Sequence, residues 1–83
     1  MRNSGRKRGP TMVAETWDAG ELGCGELLVE LAGRMKKLVP GQVLELRALD
    51  AGAVEDIPAW CALTRHSLVS AQHPVYRIQR RAG

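Results

Sequence analysis

A change of hydrophobic period in the middle of the chain constrains the fold more than any other feature. From Gly25 onward, apolar residues recur every three or four positions, which is the spacing of one face of an α-helix. The pattern stops at Pro40 and Gly41, two residues that end helices. The spacing therefore predicts an amphipathic helix before residue 40. Its apolar face consists of Leu27, Leu28, Leu31, Met35 and Leu38.

The segment after this helix, QVLELRAL at residues 42–49, alternates between apolar and charged side chains. Such alternation is typical of a half-buried β-strand. A second β-prone run, TMVAETWD at residues 11–18, precedes the helix. The helix is thus predicted to lie between two strands. The alternating residues of the later strand are Leu44, Leu46 and Ala48 on one face and Glu45 and Arg47 on the other.

A second helix is predicted in AVEDIPAWCALT, residues 53–64, because its larger side chains again follow helical spacing. The sequence is compatible with two starting points for this helix. Asp56 can cap a helix whose first turn accepts Pro58, or Pro58 can kink a helix that begins earlier. Two short β-prone runs at residues 67–72 and 75–81 follow, and they are predicted to pair as an antiparallel hairpin.

The predicted order is therefore β-α-β-α-β-β. Right-handed crossovers would place two helices on one face of a four-stranded mixed sheet, giving an α/β two-layer sandwich whose other face is more polar. The length of 83 residues leaves room for one domain with a modest core. Because aromatic residues make up 4% of the chain and Phe is absent, that core must be mainly aliphatic.

Charge divides the chain into a basic tail, residues 1–11, and a domain, residues 12–83. Four of the twelve basic residues lie in the first nine positions, and removing these four charges from the net +3 leaves −1. We expect the tail to be disordered, because it is rich in glycine and charge. It is either a solvated terminus or a site of electrostatic contact with RNA or an acidic partner.

Several function classes receive little support from the sequence. The chain lacks an apolar run of membrane-spanning length and an N-terminal signal sequence, so a cytoplasmic protein is expected. We also expect a monomer. Neither His66 nor His73 has neighbours in sequence that would complete a metal site or a catalytic triad, and both are expected to have turn or surface roles. The glycines near residue 23 do not form a nucleotide-binding motif. No cofactor and no metal ion are predicted.

The two cysteines have different surroundings. Cys24 lies between Gly23 and Gly25 at the predicted helix start, where the helix dipole favours a thiolate by about 0.3–1 kcal/mol. It is either a usable thiol, which we favour, or an inert small residue in a loop. Cys61 shares a predicted helix face with Ile57, and we expect it to belong to the core.

In these features the chain resembles the TusA-like (SirA-like) sulfur carriers over about residues 13–81. That family has a strand ending in Asp, an Arg-Gly-Leu loop, a Cys-Pro-x-Pro motif at the first helix, and later Pro-Gly, Asp-Ile-Pro-x-Trp-Cys-like and Gly-His-x-Leu-like stretches. The matching residues here are Asp18, Leu22, Cys24, Pro40, Gly41, Asp50, Asp56, Ile57, Pro58, Trp60, Cys61, His66 and Leu68.

The chain departs from the family pattern around the cysteine. Cys-Pro-x-Pro is replaced by Cys24 followed by Gly25, Glu26 and Leu27, and the loop Arg-Gly is replaced by Gly20 and Glu21. Arg65 stands where a helix-ending glycine is usual.

The resemblance implies that Cys24 is the catalytic residue of a sulfurtransferase-like carrier. It would accept sulfane sulfur as a persulfide from a donor protein, such as a cysteine desulfurase or a rhodanese-like protein, and pass it to an acceptor protein. The missing prolines leave open a second hypothesis, a non-catalytic protein-binding module that kept the fold and lost sulfur transfer. A third hypothesis is RNA association driven by the tail.

Overall fold

The computed structural model of the protein describes residues 13–82. Predictions about a disordered, RNA-binding tail at residues 1–11 fall outside the described residues. Six elements follow one another in the predicted order β-α-β-α-β-β. The strands are β1 Val13–Gly20, β2 Val43–Ala48, β3 Ser67–Gln72 and β4 Val75–Gln79, and the helices are α1 Cys24–Lys36 and α2 Ala53–Thr64.

The four strands form one mixed sheet in the order β1-β2-β4-β3. Strand β1 runs parallel to β2, and both the β2-β4 and the β3-β4 pairs are antiparallel. This confirms the predicted hairpin at the end of the chain and the α/β two-layer sandwich. Parallel pairing of β1 with β2 requires the intervening helix to cross over the sheet, which is the role of α1.

The core lies between the helices and one face of the sheet. Leu44 and Leu46 of β2 pair with Ile78 and Tyr76 of β4, and all four side chains are buried. The predicted inward face of β2, which also contains Ala48, is therefore confirmed. The helices cover this face with Leu27, Leu31 and Met35 from α1 and Ala53, Ile57 and Cys61 from α2.

The opposite face of the sheet is polar, as predicted. Glu45 and Arg77 are cross-strand neighbours there, and the Arg77 Nε donates to Glu45 Oε1 at 3.0 Å. Arg47 is exposed on the same face. An ion pair on an exposed sheet face contributes little to stability, about 0–1 kcal/mol, but it keeps that face compatible with solvent.

Helix α2 begins earlier than capping by Asp56 would require. Gly52 is its N-cap residue, and the backbone N–H of Asp56 donates to the Gly52 carbonyl at 2.9 Å. The prediction that Asp56 caps the helix was wrong, and the alternative of a helix that begins before Pro58 is confirmed. The physical reason is the preceding turn, in which Asp50 Oδ2 accepts from the Gly52 N–H at 3.1 Å and starts the helix there.

The same helix ends at a residue with unusual backbone geometry. Arg65, the C-cap of α2, has φ 70° and ψ 14°, which is the left-handed region. Glycine adopts this conformation readily, whereas a residue with a Cβ is strained by roughly 1–2 kcal/mol. We therefore expect a glycine at this position to be more stable than the arginine.

Candidate functional site

Three chain segments meet at the end of the sheet where the parallel strands β1 and β2 terminate. The Leu49 N–H donates to the Gly20 carbonyl at 2.9 Å, which joins the loop after β2 to the loop after β1. The Ala48 N–H donates to the Pro74 carbonyl at 2.8 Å, which adds the turn between β3 and β4. In an open α/β sheet this is the end at which ligands and reactive groups most often lie.

The loop between β1 and α1 is a tight turn with local hydrogen bonds. Asp18 Oδ1 accepts from the Gly20 N–H at 2.9 Å, and the Leu22 N–H donates to the Ala19 carbonyl at 3.2 Å. Gly20 has φ 59°, which a glycine adopts without strain. Leu22 packs against the core. The turn therefore reverses the chain within a few residues and fixes where α1 begins.

Cys24 is the first residue of α1, as the sequence predicted for its backbone position. Gly23 is the N-cap, with φ −72° and ψ 160°, and no side chain in the described part of the chain makes a capping hydrogen bond to the helix. The first hydrogen bond of the helix runs from the Leu27 N–H to the Gly23 carbonyl at 2.8 Å. The N–H groups of the first turn have no acceptor within the helix, and together with the helix dipole they favour a nearby anion.

The outer face of α1 next to Cys24 combines one apolar side chain with carboxylates. Val29 is 76% exposed, and Glu26 and Glu30 are exposed beside it. With Gly25, these residues line a shallow depression of about 420 Å³. Sequence reasoning did not single out Val29; the available signal was an apolar residue lying off the stripe formed by Leu27 and Leu31.

Cys61 lies in the core, which confirms its predicted role. Cys61 is 3% exposed, and burial raises the pKa of its thiol from 9.0 to about 11. A thiol with a raised pKa is a poor nucleophile near neutral pH because the thiolate is the reactive form. The Cys61 thiol is therefore unsuited to sulfur exchange.

The two histidines lie at opposite ends of β3 and make separate contacts. His73 Nδ1 lies 2.6 Å from the Tyr76 hydroxyl in a hydrogen bond. His66 Nδ1 accepts from the Arg81 N–H at 3.0 Å, and burial together with Arg81 and Arg80 lowers the pKa of His66. Burial raises the pKa of Tyr76.

Across residues 13–82, no three His, Cys, Asp or Glu side chains are grouped so that they could hold a metal ion.

Comparison with known proteins identifies a family that this sequence matches. The sequence matches the family described as "Sulfurtransferase TusA" over residues 15–80. It is 33% identical over 69 residues to the sulfur carrier protein TusA of Pseudomonas paraeruginosa, a match that covers 78% of this chain and 87% of that protein. TusA of Pseudomonas aeruginosa shows the same identity and coverage.

A third relative differs in size. The chain is 38% identical over 55 residues to the putative sulfur carrier protein YrkF of Bacillus subtilis, which covers 66% of this chain. The match spans 30% of YrkF, so the aligned segment is less than a third of that protein. In the described part of the chain, neither helix is long and apolar enough to span a bilayer.

Proposed function

This chain belongs to the TusA sulfurtransferase family, and from that premise we propose that it carries sulfane sulfur as a persulfide on Cys24 and passes it to a partner protein. We assign this role to the domain formed by residues 12–83. The observation that carries the proposal is the position of Cys24 as the first residue of α1, inside the matched segment. The relatives named sulfur carriers support the same role.

The proposed reaction exchanges one sulfur–sulfur bond for another. The Cys24 thiolate attacks the terminal sulfur of a persulfide on the donor, a new bond forms between Sγ and that sulfur, and the donor thiolate leaves. An acceptor thiolate then attacks the terminal sulfur on Cys24 in the same way. Each step is redox-neutral, so no further oxidant or reductant is required.

The helix start is suited to both halves of this exchange. The unbonded N–H groups and the dipole of α1 would stabilise the thiolate as nucleophile and later as leaving group. Beyond its chain neighbours and the helix backbone, a Cβ added to Gly23 or Gly25 would meet no described atom within 4 Å, so space is open at the two positions that flank Cys24. An open approach is what transfer between two proteins requires.

We propose that donor and acceptor dock on the α1 face lined by Glu26, Val29 and Glu30. The two carboxylates would pair with basic side chains of the partner, and the exposed Val29 offers apolar contact. A cysteine desulfurase or a rhodanese-like protein is the proposed donor class. We place this exchange in the cytoplasm, where reducing conditions keep cysteine thiols available.

Mass spectrometry of the intact protein tests the persulfide. After incubation with a cysteine desulfurase and cysteine, or with inorganic polysulfide, we expect an added mass of one sulfur atom that dithiothreitol removes. Cys24→Ser should lose the adduct, and Cys61→Ala should retain it as the matched control. Absence of the adduct in the unmodified protein, or its survival in Cys24→Ser, would overturn the proposal.

The alternative function is a binding module without sulfur transfer, favoured by the presence of Gly25 and Leu27 where the family has prolines. A pull-down with a candidate partner separates the two functions. Binding that is unchanged by Cys24→Ser but lost in Glu26→Lys, combined with absence of the sulfur adduct, supports the module. Arg34 is a poor probe of this surface, because its guanidinium contacts Glu15 and Glu30 within the domain.

A further inference from the structure

A groove with four cationic side chains lies at the end of the domain opposite Cys24. Lys36 ends α1, Arg65 ends α2, and Arg80 and Arg81 follow β4. Together they line a groove of about 450 Å³ between the C-terminal ends of the two helices. Because α1 rises ~1.5 Å per residue, its two ends are roughly 18 Å apart, so the groove is separate from the proposed sulfur site.

The positive charge of this groove is concentrated and locally unbalanced. None of the described residues that line it is acidic. Once the first nine positions are left aside, the chain has eight basic and nine acidic residues, so half of those basic side chains face this groove. The salt bridges found within residues 13–82 are formed by Arg34 and Arg77 instead. Clustered charge of one sign attracts an oppositely charged partner.

The groove also has an apolar wall. Leu63 is 82% exposed, and Trp60 and Met35 also line the groove. The Trp60 ring contacts the His66 ring, with centroids 5.4 Å apart. An exposed leucine next to cationic side chains is suited to a ligand that carries both carboxylates and an apolar side chain.

Part of the groove is fixed by backbone contacts. The Arg80 guanidinium donates to the carbonyls of Lys36 and Leu38, which ties the segment after β4 to the end of α1. The Arg81 N–H donates to His66 Nδ1 and ties the same segment to the start of β3. The groove is therefore preformed, and ligand binding would not need to order it.

Arg65 gives an independent reason to assign this surface a role. It lines the groove while its backbone adopts the left-handed conformation that favours glycine. Residues with strained backbone cluster at binding sites and switch regions. Here the arginine contributes charge to the groove that a glycine could not.

We propose that this groove docks a short acidic segment of a partner protein, one that contains at least one leucine-like side chain. The domain outside the groove has an excess of acidic residues, so a long polyanion such as RNA would meet repulsion beyond a few phosphates. A partner held here would leave the Cys24 end of α1 accessible. The groove would thus act as a holding site distinct from the face where sulfur is exchanged.

The test is an NMR titration of the ¹⁵N-labelled full chain with the peptide Glu-Asp-Leu-Glu-Leu-Asp-Glu. We expect saturable amide shifts concentrated at Lys36, Leu63, Arg65 and Arg81, which weaken as salt is raised. The matched control peptide replaces every Glu by Gln and every Asp by Asn, and it should not produce these shifts. Failure of the acidic peptide to shift groove amides overturns the proposal.

Two variants assign the binding to specific side chains. Lys36→Gln and Arg65→Gly should each weaken peptide binding about fivefold or more. Lys37→Gln removes the same charge one residue away, outside the groove lining, and should bind the peptide as the unmodified chain does. Equal weakening by Lys36→Gln and Lys37→Gln would show non-specific attraction and overturn the proposal. So would tighter groove binding of a uridine oligonucleotide than of the peptide.

Discussion

The guanidinium carbon of Arg34 lies 4.4 Å from the centre of the Trp17 ring and connects helix α1 with strand β1. The same guanidinium contacts Glu15 Oε2 at 3.1 Å and Glu30 Oε2 at 3.6 Å. Two of these three partners belong to β1, a strand at the edge of the sheet. The Glu30 contact joins two residues four positions apart on α1, whereas the other two contacts arise from tertiary packing.

Arg34→Ala is expected to lower the free energy of unfolding by about 1–2 kcal/mol, because it removes a cation–π contact, an ion pair and packing of the side-chain stem. Urea denaturation followed by tryptophan fluorescence measures this. The free energy of unfolding of Arg34→Lys should lie between those of the unmodified chain and Arg34→Ala, because an ammonium keeps the charge but cannot stack as a planar guanidinium does. If Arg34→Ala is as stable as the unmodified chain, this cluster does not hold β1 in place.

Gly25→Pro should stabilise the domain by about 0.4–1 kcal/mol. Gly25 is the second residue of α1, its N–H belongs to the first turn, and an added Cβ would meet no neighbour within 4 Å. Thermal denaturation measures the change, with Gly25→Ala as a control for the loss of glycine entropy alone. A lower melting temperature for the proline variant would mean that this turn needs the Gly25 N–H or a freer backbone at Cys24.

Leu27→Pro should have the opposite effect, although the family has a proline at this place in its motif. The Leu27 side chain is buried, and its N–H donates to the Gly23 carbonyl at 2.8 Å. Removing a buried leucine typically costs about 2–5 kcal/mol, and proline also removes this hydrogen bond. Leu27→Ala separates the two effects in chemical denaturation. Retention of full stability in Leu27→Pro would show that α1 can start one turn later.

Alkaline pH should destabilise the domain through Cys61. Burial raises the pKa of this thiol from 9.0 to about 11, so between these values the unfolded chain has lost the proton that the folded chain keeps. Stability is therefore complete below pH 9 and falls as pH rises towards 11, by up to about 2–3 kcal/mol. Denaturation curves at pH 8, 9, 10 and 11 measure this, and Cys61→Ala should flatten the dependence. An equal slope in both proteins would contradict the assignment.

Arg65→Gly should raise the free energy of unfolding by about 1 kcal/mol while it weakens binding in the basic groove. The gain comes from relief of the left-handed strain, partly offset by the greater freedom of glycine in the unfolded chain. Thermal denaturation checks the stability, and Arg65→Ala should give no such gain because alanine keeps the Cβ. A fall in stability for the glycine variant would show that the Arg65 side chain stabilises the fold itself.

Helices and strands that bury one face could be predicted from the periodicity of their apolar residues. The stripe containing Leu27 and Leu31 predicted α1, and alternation of Leu44 with Glu45 predicted β2, because one buried face imposes its period on the chain. The start of α2 was harder to predict, since the turn from Asp50 to Gly52 begins the helix without an acidic cap at Asp56.

The groove lined by Lys36, Arg65, Arg80 and Arg81 could not be predicted in this way. Lys36, Arg65 and Arg80 come from three distant parts of the chain and become neighbours only when the two helices and the hairpin pack together. No spacing in the sequence connects them. Similarly, the resemblance and the helix start pointed to Cys24, but the exposed Val29 beside it became evident only once α1 had been placed on the sheet.

The position of β1 at the edge of the sheet has a consequence for how the domain opens. Within residues 13–82 its backbone pairs with β2 alone. Detachment of β1 would therefore break one ladder of backbone hydrogen bonds, whereas detachment of β2 would break two. Amide hydrogen exchange of β1 should therefore be faster than that of β2 and β4. Since the turn that leads to Cys24 begins where β1 ends, transient release of this strand would loosen the start of α1 while the remaining three strands stay folded.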